Sequence, residues 1–139
     1  MTHRRLRPFN TRDTYPEQRL DNDLAQGVIA RGRIVFLRGQ VGQDLETSAS
    51  VAIGNPAAQA RRAMENIGAL LAEAGARIEH LTKLVVYLTD IRHREPVYRA
   101  MGEFIRGVHP VCTGLVVVAL ARPEWLVEID ATAVIPEDE

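Results

Sequence analysis

Cysteine is all but absent from this chain: of 139 residues, only Cys112 carries a thiol. A lone cysteine excludes an intramolecular disulfide framework and any zinc site built from several thiolates. Lysine is equally scarce, with Lys83 alone, so there is no crowd of candidates for Schiff-base chemistry. Aromatic residues make up 5%, too few for a ladder on which successive bases would stack. Net charge is −1, and no global field draws the chain to nucleic acid or an anionic membrane. No apolar run is long enough to span a bilayer. No apolar segment follows the early arginines, as a signal peptide would require. These absences predict a cytoplasmic protein with neither a membrane nor nucleic acid as partner. The first 20 residues hold Arg4, Arg5, Arg7, Arg12 and Arg19 against Asp13 and Glu17. Without stacking aromatics this reads as a charged first strand and loop before it reads as an RNA-binding arm.

What is present fits one globular domain over residues 1–139, with a hydrophobic fraction of 46% and a charged fraction of 25%. Residues 4–9 read as a short edge strand, since Pro8 suits an edge, and residues 10–25 as a long polar loop. Residues 27–42 read as two strands joined at Arg31-Gly32. Helix signals then take over. Asn55 is a good N-cap, Pro56 fits the first helical position, and Gly75 is a natural stop. Between them Ala60, Met64, Ile67, Leu71 and Ala74 recur at helical spacing. Residues 81–90 read as a central strand, apolar on both faces. A second helix is predicted over 95–106, with Val97, Met101, Phe104 and Ile105 on one face, and strands over 113–120 and 126–135 close the chain. The order β-β-α-β-α-β-β predicts an α+β domain: one mixed sheet with two helices on one face. Nothing is left to cover the other face, so an oligomer is expected.

Chemistry is harder to read from pattern. Glu128 and Asp130 alternate with Val127, Ile129 and Ala131, so the two carboxylates share one face of a strand, about 7 Å apart. Such a pair serves acid/base chemistry if half-buried, or is simply solvated. Arg38 ends an apolar strand before Gly39, where it can grip a carboxylate or phosphate or sit at the surface against a neighbour. His3, His80, His93 and His109 show no metal-ligand spacing, and no metal is expected. Cys112 lies three residues after His109. A thiol nucleophile needs an imidazole in reach and an orienting group, whereas a turn into a strand sends the two side chains apart.

Taken in order, the motifs resemble the Rid family (RidA/YjgF, also called L-PSP endoribonuclease-like). The stretches carrying the likeness are AQGVIARGRIVFLRGQVG, QARRAMENIGALLAEAGA, LTKLVVYLTDI, VYRAMGEFI, HPVCTG and LVEIDATAVI. The resemblance implies a chorismate-mutase-like (YjgF-like) fold and a homotrimer with a central barrel and clefts between subunits. It implies hydrolysis of reactive enamines or imines, of the 2-iminobutanoate/2-iminopropanoate type, to a keto acid and ammonia, without a cofactor. Glu128 stands where the family's late glutamate positions water, and Gly39 matches the glycine after the second strand. Cys112 stands where the family has its carboxylate-binding arginine, Arg38 where serine is usual, Leu24 where tyrosine is usual and Tyr98 where asparagine is usual. A thiol cannot replace a guanidinium's charge. The expected substrate-binding set is therefore Arg38, Gly39, Tyr98, Cys112, Thr113 and Leu24. Cys112 would serve as a small wall residue, with the Thr113 hydroxyl beside it. Either the substrate differs from the usual 2-imino acid, or Arg38 supplies the charge for a small anionic ligand. A binding trimer without deaminase activity is the alternative, and an endoribonuclease a further one.

Overall fold

The computed structural model describes residues 3–138. Its first third forms two small antiparallel ribbons. Strand β1 (Arg4–Leu6) pairs with β4 (Gly27–Ile29), and β2 (Phe9–Asn10) pairs with β3 (Asp23–Leu24). A short helix α1 (Thr11–Thr14) and a 3₁₀ turn at Pro16–Gln18 lie between β2 and β3. Residues 10–25, expected as a long polar loop, instead hold these short elements, and Asn10 ties them together. Its Oδ1 accepts from the Arg12 amide at 2.8 Å and caps α1, while its Nδ2 donates to Asp21 and Asp23 at 2.7 and 2.9 Å.

The main sheet holds β5 (Gly32–Phe36), β6 (Leu81–Leu88), β7 (Val111–Val116) and β8 (Val127–Pro136), in the order β5-β8-β6-β7. It is mixed: β6 runs parallel to β7 and antiparallel to β8. Residues 27–42 form two strands on either side of Arg31 as expected, but the two do not pair with each other. β4 turns away to β1, and β5 pairs with β8 in a register that sets Gly32 against Pro136. Gly32 has φ +147°, and a Cβ there would run into the Ile135 carbonyl, so the close approach of β8 explains the glycine.

Helix α2 (Pro56–Glu73) forms as its caps predict, with Asn55 Oδ1 accepting from the Ala58 amide at 3.0 Å and Gly75 at φ +80°. Ala60, Met64, Ile67 and Leu71 are fully buried, while Ala74 is exposed because the chain is already leaving the helix there. Helix α3 (Arg94–Gly102) begins one residue early and stops four short of the expected end, although Ile105 stays buried. β7 likewise starts and stops earlier than expected. Both helices pack on one face of the sheet, against Leu84, Val86 and Leu88 of β6 and Val127, Ile129, Ala131 and Ala133 of β8.

The opposite face carries no helix. Strand alternation and register place Ile34, Phe36, Val85, Tyr87, Leu115, Glu128 and Asp130 there. Phe36 is 77% exposed and Ile34 58%. Just past the end of β7, Val118 is fully exposed. No helix among the described residues is long and apolar enough to cross a membrane.

Candidate functional site

The residues singled out by the sequence fall into two cavities within one protomer. Arg38, Gly39 and Glu128 line the first, of about 210 Å³, together with Gln43, Arg122 and Trp125. Leu24, Tyr98, Cys112 and Thr113 line the second, of about 460 Å³, together with Tyr15, Gln18 and Arg94. The first opens where the chain leaves β5, at one edge of the sheet; the second lies over β7, at the other edge.

In the first cavity, β8 presents Glu128 opposite Tyr87 on the helix-free face, while Val127 and Ile129 anchor the strand in the core. The backbone of Gln40 brackets Ile129 with two bonds of 2.8 Å, and the Gln40 side chain donates to the Arg38 carbonyl at 2.8 Å. This brings Gly39 directly against the Glu128 side chain: a Cβ at residue 39 would meet Glu128 Oε2 and lie 2.8 Å from its Cδ. Burial raises the Glu128 pKa above the usual glutamate value. Nearby Asp130 pushes the same way, and the charge of Arg38 pulls it back. The far wall is braced by polar contacts that the sequence did not announce. Arg122 stacks over Trp125 at 4.9 Å and donates to the Ser48 carbonyl at 2.7 Å. Trp125 Nε1 donates to Ser50 Oγ at 3.1 Å, and Ser50 Oγ donates to Glu124 at 2.7 Å.

Beneath the wall, fully buried Gln59 on α2 accepts from the Leu126 amide at 2.8 Å and donates to the Glu124 carbonyl at 3.0 Å. It fixes the chain two residues before Glu128.

In the second cavity, Cys112 lies opposite Leu84 and turns toward the helices, whereas Thr113 turns to the free face. His109, at φ +56°, makes the turn into β7, and its Nδ1 lies 2.8 Å from the Leu24 carbonyl. Its ring is thus engaged away from the thiol. Cys112 Sγ instead contacts the Tyr98 hydroxyl at 3.8 Å. Burial pushes the thiol pKa up to about 11, and burial likewise raises that of the Tyr98 phenol. The phenol needs room at Gly114, where a Cβ would strike the Tyr98 hydroxyl. The Arg94 guanidinium lies 4.4 Å from the Tyr98 ring centroid and donates to Gln18 Oε1 at 2.6 Å. Sequence reasoning missed Arg94, Tyr15 and Gln18, because none sits in a recognisable spacing.

Among the described residues no cluster of three or more His, Cys, Asp or Glu could hold a metal ion.

Comparison with known proteins gives a consistent picture. The family model described as endoribonuclease L-PSP matches residues 17–135. The RutC family protein slr0709 of Synechocystis is 33% identical over 111 residues, covering 80% of this chain and 85% of that protein. A mouse protein named 2-iminobutanoate/2-iminopropanoate deaminase is 31% identical over 102 residues, covering 73% of this chain and 74% of its own. Among solved structures, the Rid-family protein YyfB of Yersinia pestis superposes with a TM-score of 0.81 at 26% identity, covering 97% of this chain and all of that one.

Proposed function

The chain belongs to the L-PSP endoribonuclease (Rid/YjgF) family, and on that premise we propose that it hydrolyses the C=N bond of a small imine or enamine in clefts between subunits. The observation that carries this reading is Glu128: half-buried, raised in pKa, held against Gly39 and facing the charge of Arg38. A carboxylate so placed takes a proton from water in its ionised form and returns it in its acid form. In the proposed reaction the water oxygen bonds to the C=N carbon and one water proton passes to Glu128. Glu128 hands that proton to the nitrogen, giving a carbinolamine; it then takes the hydroxyl proton and delivers it to the nitrogen as the C–N bond breaks and the C=O bond forms. The products are a carbonyl compound and ammonia. An enamine enters the same route once it is protonated at carbon. The name of the mouse relative, an imine deaminase, supports the reaction class.

The two cavities lie at opposite edges of the sheet, β5 at one edge and β7 at the other. In a closed ring, the β7 edge of one copy meets the β5 edge of the next and joins the half-sites into one cleft. The exposed Ile34, Phe36 and Val118 supply apolar area for such contacts. The proposed assembly is a homotrimer around a central barrel, with no cofactor. A second reading, binding without turnover, is favoured by one observation: the arginine position of the family holds Cys112, a neutral thiol. Net charge −1 argues against the RNA cleavage in the family's description. The test is to generate 2-iminopropanoate in situ with an amino-acid oxidase and to trap the imine that survives. The proposal expects the purified protein to speed imine loss well above buffer. Loss at the buffer rate leaves the binding reading in its place.

A further inference from the structure

The cavity over Cys112 has a charge pattern that the family's usual anchor does not explain. Thirteen residues line it, and among the described residues Arg94 is its only charged one. Among the described residues, no aspartate or glutamate lines this space. Arg94 makes no ion pair with a carboxylate among the described residues. Its Nη1 donates to a neutral amide, Gln18 Oε1, and its plane rests on the Tyr98 ring. A half-buried guanidinium without a counter-ion, at the wall of a cavity of about 460 Å³, leaves a positive charge for a ligand to neutralise. The geometry also says how the charge came to be there. Cys112 and Gly114 are small, so the Tyr98 phenol fills the ground above them. The phenol ring in turn forms the shelf on which Arg94 lies. Its fork is thereby held in a fixed plane, which suits a planar two-oxygen anion better than a single point charge. Phe9, Tyr15, Leu24 and Val111 give the wall an apolar and aromatic side, beside the polar Thr11, Gln26 and Thr113. Phe9 and Tyr15 precede the span 17–135 matched by the family model.

We propose that Arg94 is the anion anchor of this cavity and that the ligand is a small carboxylate carrying an apolar or aromatic body. The inference rests on the proposed small-molecule cleft, but not on the reaction proposed there. It assigns the anchor to Arg94 rather than to Arg38, which lies in the other cavity of the protomer.

Calorimetric titration with phenylpyruvate, its neutral methyl ester and pyruvate tests this, using the full chain and the variants Arg94→Met, Arg94→Lys and Arg38→Met. The wild type is expected to bind phenylpyruvate more tightly than pyruvate or the ester. Arg94→Met weakens phenylpyruvate binding by about tenfold or more, leaves the ester unchanged and keeps its melting transition. Should Arg94→Met fail to fold, Arg94→Lys decides, since it keeps the charge but not the fork and is expected to bind phenylpyruvate several-fold more weakly. Unchanged phenylpyruvate affinity in a folded Arg94 variant overturns the proposal. So does a loss confined to Arg38→Met, an ester bound as tightly as the acid, or a wild type that binds no carboxylate. Arg94-dependent binding without any acceleration of imine loss would sink the hydrolase reading and leave this inference standing.

Discussion

At Cys112 the thiol faces the Tyr98 hydroxyl at 3.8 Å, and burial pushes its pKa up to about 11. At neutral pH this leaves roughly one thiolate in ten thousand thiols, too few for a working nucleophile. Iodoacetamide at pH 7.5 is therefore expected to alkylate the folded protein far more slowly than a free thiol. Cys112→Ser should change kcat/KM by less than about threefold, whereas a true nucleophile would lose several orders of magnitude. At Glu128 burial acts in the same direction, on the group that the proposed reaction uses. Burial favours its protonated form in the fold. Stability from that form is present at pH below the ordinary glutamate value and is lost as pH climbs through the raised one. The general-base form grows in over the same window, so kcat/KM should rise with pH on a limb lying above the usual glutamate range. Arg38 lowers this pKa and Asp130 raises it. Arg38→Gln should thus move the limb to higher pH and Asp130→Asn to lower pH, as read from pH–rate profiles. Glu128 was legible in the sequence because strand alternation separates it from Val127 and Ile129. Arg94 was not, because its meaning comes from a ring four residues on and a glutamine 76 residues earlier in the chain.

At the scale of elements, the positions that hold the site are mostly silent in sequence. Gln59 looks like any helix-surface glutamine, yet it is fully buried and satisfies both the Leu126 amide and the Glu124 carbonyl ahead of β8. Gln59→Leu strands those groups, and urea unfolding is expected to show a loss of about 1–3 kcal/mol. Gly39→Ala acts differently. Its methyl group would displace the Glu128 carboxylate, so turnover should fall sharply while the unfolding midpoint moves little. Helix α2 could be read in advance, since Asn55, Pro56 and Gly75 mark its ends and its apolar period is long. The first 30 residues could be read only in part: strands were expected over 4–9 and from 27, where β1, the start of β2 and β4 form, but the elements between them were not expected. Their helix and strands run two to four residues each, too short for any period to emerge. The two strands expected within 27–42 form, but their partners could not be read for a related reason. The partner of β5 is β8, about a hundred residues away, and local turn chemistry carries no information about that pairing.

At the scale of the whole molecule, a single chain keeps the two cavities apart, at opposite edges of the sheet. The proposed ring that joins them should sediment at three times the 15.4 kDa mass of the chain. Phe36→Glu, at a position 77% exposed on the helix-free face, should shift it toward monomer. Shared clefts have a further consequence. Thr113→Trp, which fills one cavity, and Glu128→Gln, which disarms the other, should each be inactive alone. Co-refolded in equal amounts, they should regain about a quarter of wild-type activity, because random assembly restores that share of interfaces. Sites complete within one protomer would regain none. The uncovered sheet face was legible from apolar strands left without a partner, but the strand order that sets β5 and β7 at the edges was not. The most direct measurement of the central claim is kcat/KM for 2-iminobutanoate hydrolysis by the wild type and by Glu128→Gln at one pH, with melting curves matched. The account predicts a fall of about 10²- to 10⁴-fold in the variant; equal rates in the two proteins would contradict it.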